Sequence, residues 1–385
     1  MLDPKGENAF RTGKQRERLN DVVHYLDPFG ISGKPQSRFN PLKSMTIDNM
    51  EAESASLAAA LIIGRGDHWT GAAQELLSLI IMYVVACDAF APEMKDLKTV
   101  RQLLRAGLRE TLENCGTPPV NKIKDGLLAQ LAESFLETPE TELGSIYSTA
   151  RRETKILDIP EIANCLSASG TGTEVDFRDW HSKTMTVYLC LAAPRFPVLN
   201  RWLRLVLTSA LDNMTNELNP PTLPVCFMLD EVATLGSLAC VENAVGLAAG
   251  YGVQLWNVFQ DIPQMRDIYK ARWSSFWGNA GVRVAFSIED IETAEYLSKS
   301  IGQHLVRTTN SNIDNWGQVK GQNQGETMRP LLSSDAIVQR YAKQNMNALV
   351  FIDGQRPLEL ERRVYFQNEE YADMWEQDLQ KKSSA

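Results

Sequence analysis

The stretch Val225-Cys226-Phe227-Met228-Leu229-Asp230-Glu231 decides the fold. Apolar residues lead directly into two adjacent carboxylates, and a continuous apolar run of this kind is typical of a buried parallel strand. We predict a fully buried strand that ends at Asp230, which would hold Mg²⁺, while Glu231 would polarise an attacking water in a nucleotide site. The same residues are equally typical of a buried strand followed by an acidic helix cap, so the motif alone leaves both interpretations open.

The composition is that of an ordinary globular protein, with 385 residues, of which 44% are hydrophobic and 23% charged. This length suffices for two domains, or for one large α/β domain with an insertion. The net charge of −9 counts mildly against binding nucleic acid by bulk electrostatics, because proteins that do so are usually basic. Contact with DNA would therefore depend on local basic residues, for example in a central channel.

Cysteine and histidine usage gives no indication of a zinc site, because six scattered cysteines include no C-x-x-C pair and only four histidines are present. We expect reduced, buried thiols in a cytosolic compartment, with Cys190 and Cys226 inside apolar strands. The longest apolar run, 76–87, is shorter than the roughly 20 residues that span a bilayer, and no signal peptide is recognisable. We predict a buried helix there and a cytosolic chain that is not inserted in a membrane.

The spacing of apolar residues divides the chain into four parts. Residues 1–45 are predicted to be the start of an α/β domain, beginning at the end of a strand. Residues 46–165 have helical periodicity almost throughout and predict an all-α insertion. The α/β pattern resumes over 166–370, and 371–385 is a polar tail that we expect to be disordered. Alternating strands and helices predict a mainly parallel sheet covered on both faces.

Individual elements of the α/β part follow from the same patterns. Asp290 and Gly302 are placed to begin and end a helix. The stretch 308–329, rich in Asn, Gln, Gly and Thr, predicts a flexible loop or an exposed hairpin. The predicted strands are 22–26, 185–192, 225–229, 253–259, 281–286, 348–352 and 364–366, and the predicted helices of this part are 199–216, 239–249 and 291–301.

Polar residues end two successive predicted strands. Asp230 and Glu231 follow one of them, and Gln260 follows the next. Ligands bind outside the carboxyl ends of the strands in open α/β sheets. A neutral amide at such a place can sense a γ-phosphate or orient a water, because it both donates and accepts hydrogen bonds. Gln260 alone would be interpreted as a strand-end cap, but together with the two carboxylates it supports a nucleotide site.

The segment 227–265, FMLDEVATLGSLACVENAVGLAAGYGVQLWNVFQDIPQM, resembles the centre of the TraG-like coupling proteins of type IV secretion, the conjugative DNA-transfer ATPases. The resemblance covers essentially the whole chain, most weakly in the helical part. Further motifs of that family occur in the same order, namely LDPKGE at 2–7, DPFG at 27–30, RFNPL at 38–42, GNAGVRVAFSIEDIETAEYLSKSIGQ at 278–303 and RPLLSSDAI at 329–337.

The resemblance implies a RecA-like P-loop NTPase fold with an inserted all-α domain. It implies a hexameric ring, anchored on the cytoplasmic face of the inner membrane, that uses ATP and Mg²⁺ to move single-stranded DNA with its relaxase into a type IV secretion channel. Asp230 and Glu231 match the Mg²⁺-binding and water-activating acids, and Gln260 matches the strand-end glutamine. Asp3 and Lys5 match the DPKG turn near the nucleotide.

One residue departs from the family pattern. Many members carry an arginine where this chain has Ala249, although other branches also lack it. An arginine acting between subunits would then come from elsewhere. The resemblance leaves Arg266, Arg272 and Arg283 as unranked candidates, each of which is also typical of a surface or structural arginine.

No stretch of the chain fits the phosphate-binding loop G-x-x-x-x-G-K-[ST]. The resemblance places this loop and the membrane anchor before the DPKG turn, and so before Met1. We therefore expect the carboxyl-terminal part of a coupling protein, as a truncated or split gene product, an incorrectly assigned start or a shortened fragment. The chain alone is expected to be inactive. The alternatives are a non-catalytic docking or assembly piece and a different RecA-like hexameric translocase; DPKG, DPFG and GNAGVR favour the coupling family.

Overall fold

The computed structural model describes residues 1–64, 67–216, 219–313 and 319–377. The chain divides into two compact units. Unit 1 comprises Met1–Val258 together with the segment that starts at Asp373, and unit 2 comprises Phe259–Ala372. The four domain boundaries expected from the sequence stay a prediction.

Unit 1 is built on a five-stranded parallel sheet, whose strand order is β2-β5-β1-β6-β7. Its strands are β1 (Leu2–Asp3), β2 (Val22–Leu26), β5 (Met185–Cys190), β6 (Val225–Leu229) and β7 (Val253–Asn257), while β3 (Ser37–Arg38) and β4 (Thr173–Glu174) pair separately. One row of residues lies side by side across the sheet, namely Leu26, Leu189, Leu2, Leu229 and Asn257. Because all five strands run the same way, their carboxyl ends share one edge, as the sequence predicted.

Strand β6 buries only part of its surface. Phe227 and Leu229 are buried, whereas Cys226 is exposed. Strand β1 contributes only two residues, so the amino-terminal halves of β5 and β6 have no described strand between them, and a cavity of about 670 Å³ lies there. The predictions of a fully buried strand and of a buried Cys226 are therefore wrong. Cys190 is buried, as predicted.

The described residues between β3 and β4 are mainly helical, as their apolar periodicity predicted. The helices of unit 1 are α1 (Glu7–Arg18), α2 (Met50–Leu61), α3 (His68–Ala86), α4 (Leu97–Ala106), α5 (Leu108–Cys115), α6 (Leu127–Glu137), α7 (Glu140–Glu153), α8 (Pro160–Cys165), α9 (Phe196–Thr215) and α10 (Ala239–Leu247). Gly107, with φ of 151°, separates α4 from α5.

Helix α3 is long and apolar enough to cross a membrane by length and composition. However, 61% of its most apolar window is buried inside the protein. The helix packs against α2, α4, α6 and α7. Its burial is that of a core helix, as expected for the apolar run at 76–87, although the helix is longer than that run.

Arg101 fixes the helices of this block to one another. Its buried guanidinium donates to both carboxylate oxygens of Asp158, at 2.8 and 2.5 Å. The same group donates to the carbonyl oxygen of Arg151 and to the hydroxyl of Thr154, each at 2.9 Å. The hydrogen bonds from Arg101 lower the pKa of Asp158, which favours its ionised form. Arg101 thereby joins α4 to the end of α7 and to the turn that follows it.

Unit 2 contains an antiparallel sheet of its own, with strand order β12-β11-β8, and a long hairpin of β9 and β10. Its elements are α11 (Ile262–Tyr269), α12 (Trp273–Gly278), β8 (Val282–Phe286), α13 (Ile291–Ile301), β9 (Gln303–Ile313), β10 (Val319–Pro330), α14 (Ser334–Arg340), β11 (Asn347–Ile352) and β12 (Leu358–Glu361). Leu297, Ile337 and Tyr341 form its core with the sheet. Asp290 caps α13 by accepting from the backbone N–H of Thr293 at 2.6 Å, as predicted.

Several expectations for the carboxyl-terminal part change. The backbone of 303–313 and 319–330 forms the hairpin alternative, while the side chains of 309–324 and the residues 314–318 lie outside what the structure describes. The predicted strand 364–366 is wrong, because Tyr365–Gln367 is a 3-10 turn and β12 precedes it. The missed strand, LELE, is a short edge strand that alternates leucine and glutamate, and both of its leucines are exposed.

The polar tail is attached to unit 1 as far as it is described. Glu376 forms ion pairs with Lys14 and Lys34, the latter at 2.7 Å. Its backbone N–H donates to the carbonyl oxygen of Arg11 at 2.7 Å, and the Arg11 guanidinium lies over the ring of Trp375. The expectation of a disordered tail is wrong for these residues, because the tail follows the basic surface of α1; residues 378–385 lie outside the described range.

Two helical glycines give opposite predictions for stability. A methyl group on Gly13 of α1 would collide with the hydroxyl of Tyr25, whose ring is buried and stacked on Tyr188 at 5.5 Å. We expect Gly13→Ala to lower the free energy of unfolding by about 1–3 kcal/mol. The methyl group of Gly144→Ala in α7 meets nothing within 4 Å, so this substitution should raise the free energy of unfolding by up to about 1 kcal/mol. Urea unfolding of both variants measures this, and equal stabilisation by both would contradict the packing of α1 on Tyr25.

Candidate functional site

The carboxyl edge of the parallel sheet brings together acidic residues that are far apart in the sequence. Asp3 lies beside Cys190, and Leu2 lies beside Leu229, which Asp230 follows directly. Asp3 and Asp230 therefore stand at the ends of neighbouring strands. Since the strand ends of an open α/β sheet are its usual ligand-binding edge, the position matches the sequence prediction for both residues.

Glu231 adopts a strained backbone conformation directly after β6. Its φ and ψ of 55° and 43° lie in the left-handed region, which costs a non-glycine residue about 1–2 kcal/mol. It precedes the 3-10 turn Val232–Leu235 but makes no side-chain capping hydrogen bond to it, which disfavours the acidic-cap alternative. Asp230 and Glu231 are both half-buried. Residues held in such conformations cluster at functional sites, so the strain supports a functional role.

Asp3 and Lys5 of the DPKG turn have different surroundings. The Asp3 carboxylate is buried and accepts from the backbone N–H of Ala9 at 2.8 Å, at the start of α1. Burial raises the pKa of Asp3, while the surrounding backbone N–H groups oppose that rise. Asp3 thus orients the helix, and Lys5 is exposed on the turn. A nucleotide-binding role for either residue stays a prediction.

Asp27 and Arg195 are further polar residues near this edge, and the sequence analysis assigned no role to either. Asp27 is fully buried and accepts from the N–H of Ile31 and from the N–H and hydroxyl of Ser32, at 3.0, 2.8 and 2.6 Å. It therefore shapes the turn after β2. The exposed Arg195, in the turn after β5, lies 4.0 Å from the ring centre of Phe29. The DPFG motif was the available signal for Asp27, whereas no local pattern marks Arg195.

The polar residue that ends β7 is Asn257, not Gln260. Asn257 lies beside Leu229, and its side-chain oxygen is buried without a hydrogen-bond partner in the described part of the chain. The predicted strand 253–259 is two residues too long, because Asp261 already caps α11 by accepting from Gln264 N–H at 2.7 Å. Gln260 is exposed and belongs to unit 2. Its catalytic role stays a prediction.

Two of the three arginine candidates are held by partners within unit 2. Arg266 pairs with Glu292 and stacks on a tryptophan ring, and Arg283 pairs with Asp353 at 2.6 Å. These contacts are those of structural arginines. Arg272 is exposed at the start of α12.

Among the described residues, no group of three or more His, Cys, Asp or Glu side chains could hold a metal ion. Mg²⁺ does not require one, since it is commonly bound by one or two carboxylates together with waters and substrate phosphates. The half-buried carboxylate of Asp230 at the strand ends fits that mode of binding.

A family profile described as type IV secretory system conjugative DNA transfer matches residues 1–385. The chain belongs to this family. It is 28% identical to the probable conjugal transfer protein TraG of Sinorhizobium fredii and 29% identical to TraG of Rhizobium radiobacter. It is 24% identical to the coupling protein VirD4 of Bartonella quintana. Each alignment covers 96% of this chain but 58% of the relative, so the chain spans little more than half of their length.

Solved structures of a coupling protein share the fold of this family member. Unbound TrwBΔN70 aligns with a TM-score of 0.67 at 14% identity, over 94% of this chain and 77% of the other. TrwB in complex with ADP and Mg²⁺ aligns with a TM-score of 0.61 at 14% identity, over 94% and 78%. The RecA-like α/β fold predicted from the sequence and the resemblance to coupling proteins are both confirmed.

The strain at Glu231 can be measured by comparing two substitutions that both remove its carboxylate. We expect Glu231→Gly to be more stable than Glu231→Ala by about 1 kcal/mol, because only glycine adopts a left-handed conformation without strain. Urea unfolding of the two variants gives this difference directly. Equal stabilities would show that Glu231 is not held in this conformation in solution.

Proposed function

We propose that this chain is the motor part of a conjugative coupling ATPase. Such a protein links a relaxase–DNA substrate to a type IV secretion channel and pumps single-stranded DNA with the energy of ATP. The observation that carries the proposal is the family match along the whole chain, together with Asp230 and the strained Glu231 at the carboxyl edge of the parallel sheet.

The residues of the edge suggest a division of tasks. The half-buried Asp230 would hold Mg²⁺, directly or through water, and Glu231 would polarise the attacking water. The exposed ammonium of Lys5 is available to phosphate oxygens, while Asp3 would fix the turn that carries it. Asn257 or Gln260 would orient the water or sense the γ-phosphate, because an amide both donates and accepts. ATP would bind together with Mg²⁺, and the bond broken in the reaction is one of ATP.

The proposed partners follow from the family. The chain would act within a homohexamer on the cytoplasmic face of the bacterial inner membrane, where it would meet relaxase-bound single-stranded DNA and components of the channel. Because the net charge is −9, we propose that DNA is contacted only inside an assembled ring, through local basic residues.

A second candidate function is a non-catalytic docking or assembly piece of such a protein. The absence of G-x-x-x-x-G-K-[ST] from this chain favours it, since the acids at the edge then lack the backbone cradle that positions a triphosphate.

We expect the purified chain to show negligible ATP turnover, with or without single-stranded DNA, because it carries no phosphate-binding loop. Phosphate release measured over a range of protein concentrations tests this. DNA-stimulated hydrolysis that Glu231→Gln abolishes would contradict the expectation.

Conjugation itself distinguishes the two candidate functions. With the gene in its native setting, we expect Glu231→Gln to lower the transfer frequency by about 100-fold or more, because it removes the proposed water-activating group. Glu295→Gln makes the same change on an exposed position of α13 and should leave transfer unaltered. If Glu231→Gln transfers normally while deletion of the gene abolishes transfer, the docking function is correct and the catalytic one is not.

A further inference from the structure

A cleft in the helical part of unit 1 is lined mainly by cations. Its volume is about 540 Å³, and its position is at the carboxyl-terminal ends of α4 and α7. The lining residues are Arg101, Arg105, Ser148, Arg151, Arg152, Lys155 and Asp158. Five cations thus face one carboxylate, in a chain whose net charge is −9.

The one carboxylate of the lining is already neutralised. Both oxygens of Asp158 accept from the buried guanidinium of Arg101 at 2.8 and 2.5 Å. Arg105 approaches Asp158 only to 3.6 Å, and its side chain is 63% exposed. The charge of Arg105 is therefore poorly compensated by the cleft itself.

The remaining cations are compensated only in part. Arg152 contacts Glu153 at 2.9 Å, but Glu153 also pairs with Arg201, so one carboxylate serves two guanidinium groups. Arg151 lies over the ring of Tyr147, 5.4 Å from its centre, and is exposed. Lys155, in the turn after α7, is also exposed.

Basic residues in the last turn of a helix have an ordinary explanation, because they interact favourably with the helix dipole. Arg105 in α4 and Arg151 and Arg152 in α7 all occupy such positions. The dipole explains each arginine singly but not the convergence of two helix ends on one cleft, since like charges placed together repel. A bound anion would relieve that repulsion.

We propose that this cleft binds a short acidic segment of a partner protein, whose carboxylates pair with Arg105, Arg151, Arg152 and Lys155. Guanidinium groups match carboxylates in a two-pronged geometry. Arg101 keeps the site in shape, because its donors are bonded within the protein and are not needed for the ligand. The site is separate from the sheet edge, and its test does not depend on the proposed ATPase activity.

The lining favours a peptide over single-stranded nucleic acid. Among the residues that the structure describes, none that lines the cleft is aromatic, whereas single strands are usually held by bases stacked on aromatic side chains along a continuous basic groove. The one carboxylate of the lining, Asp158, stands among the cations of the cleft. An extended phosphate backbone would pass this acid, while a short acidic segment need not.

Fluorescence anisotropy on the full chain tests the site with a labelled peptide of alternating Asp and Glu. The double variant Arg105→Glu/Lys155→Glu should weaken binding about tenfold or more, because it reverses two charges that face the ligand. The matched control is Lys98→Glu/Arg109→Glu, which makes the same charge change at exposed positions of α4 and α5 outside the cleft. Its affinity should stay within about twofold of the original, since isolated surface charges contribute little.

Three outcomes would overturn the proposal. The control variant could weaken binding as much as the cleft variant does, which would show non-specific attraction. The peptide could fail to bind at low ionic strength. An oligothymidylate of equal charge could bind more tightly than the peptide and lose that affinity only in the cleft variant, which would identify a nucleic-acid site. Circular dichroism of both double variants verifies that each remains folded.

Discussion

The pairing of β1 between β5 and β6 is the contact on which the site of unit 1 depends. Leu2 is fully buried and lies beside both Leu189 and Leu229, so two residues connect the two halves of a five-stranded sheet. Because all the strands are parallel, this register places Asp3 and Asp230 at one edge. Backbone hydrogen bonds thus position side chains that are more than two hundred residues apart in the chain.

Around that edge, stability and function impose opposite demands. Asp3 and Asp27 are buried and satisfied by backbone N–H groups, so they hold the turns that follow β1 and β2. Glu231, by contrast, is held in a left-handed conformation that costs free energy. A rigid pair of buried acids beside a strained, half-buried one is typical of sites where the scaffold maintains an unfavourable local geometry for a chemical purpose.

In the helical part of unit 1, too, the groups that stabilise the site differ from the groups that are exposed to a ligand. Arg101 donates hydrogen bonds to Asp158, to the backbone of Arg151 and to Thr154. These bonds fix where the neighbouring cations lie. Arg105 and Lys155 remain exposed at the cleft. An acidic protein can therefore present a strongly positive site without being basic overall, which bulk composition could not indicate.

The sequence by itself determined the family, the α/β class and the parallel sheet of unit 1. Continuous apolar runs, the capping position of Asp290 and the DPKG and DPFG turns are encoded by residues close together in the chain, where local propensity and spacing decide the outcome. The strand of β6 and its terminal acids were predictable for the same reason.

Only the tertiary structure decided which groups are available for chemistry. The end of β7 at Asn257, the exposure of Cys226 and the burial of Asp3 depend on which strand or helix lies alongside, and that neighbour comes from a distant part of the chain. The cationic cleft exists only because the ends of α4 and α7 meet there. Taken singly, the arginines at each end are those of an ordinary helix terminus. Local patterns specify elements, whereas burial, strain and the convergence of charges arise from long-range packing.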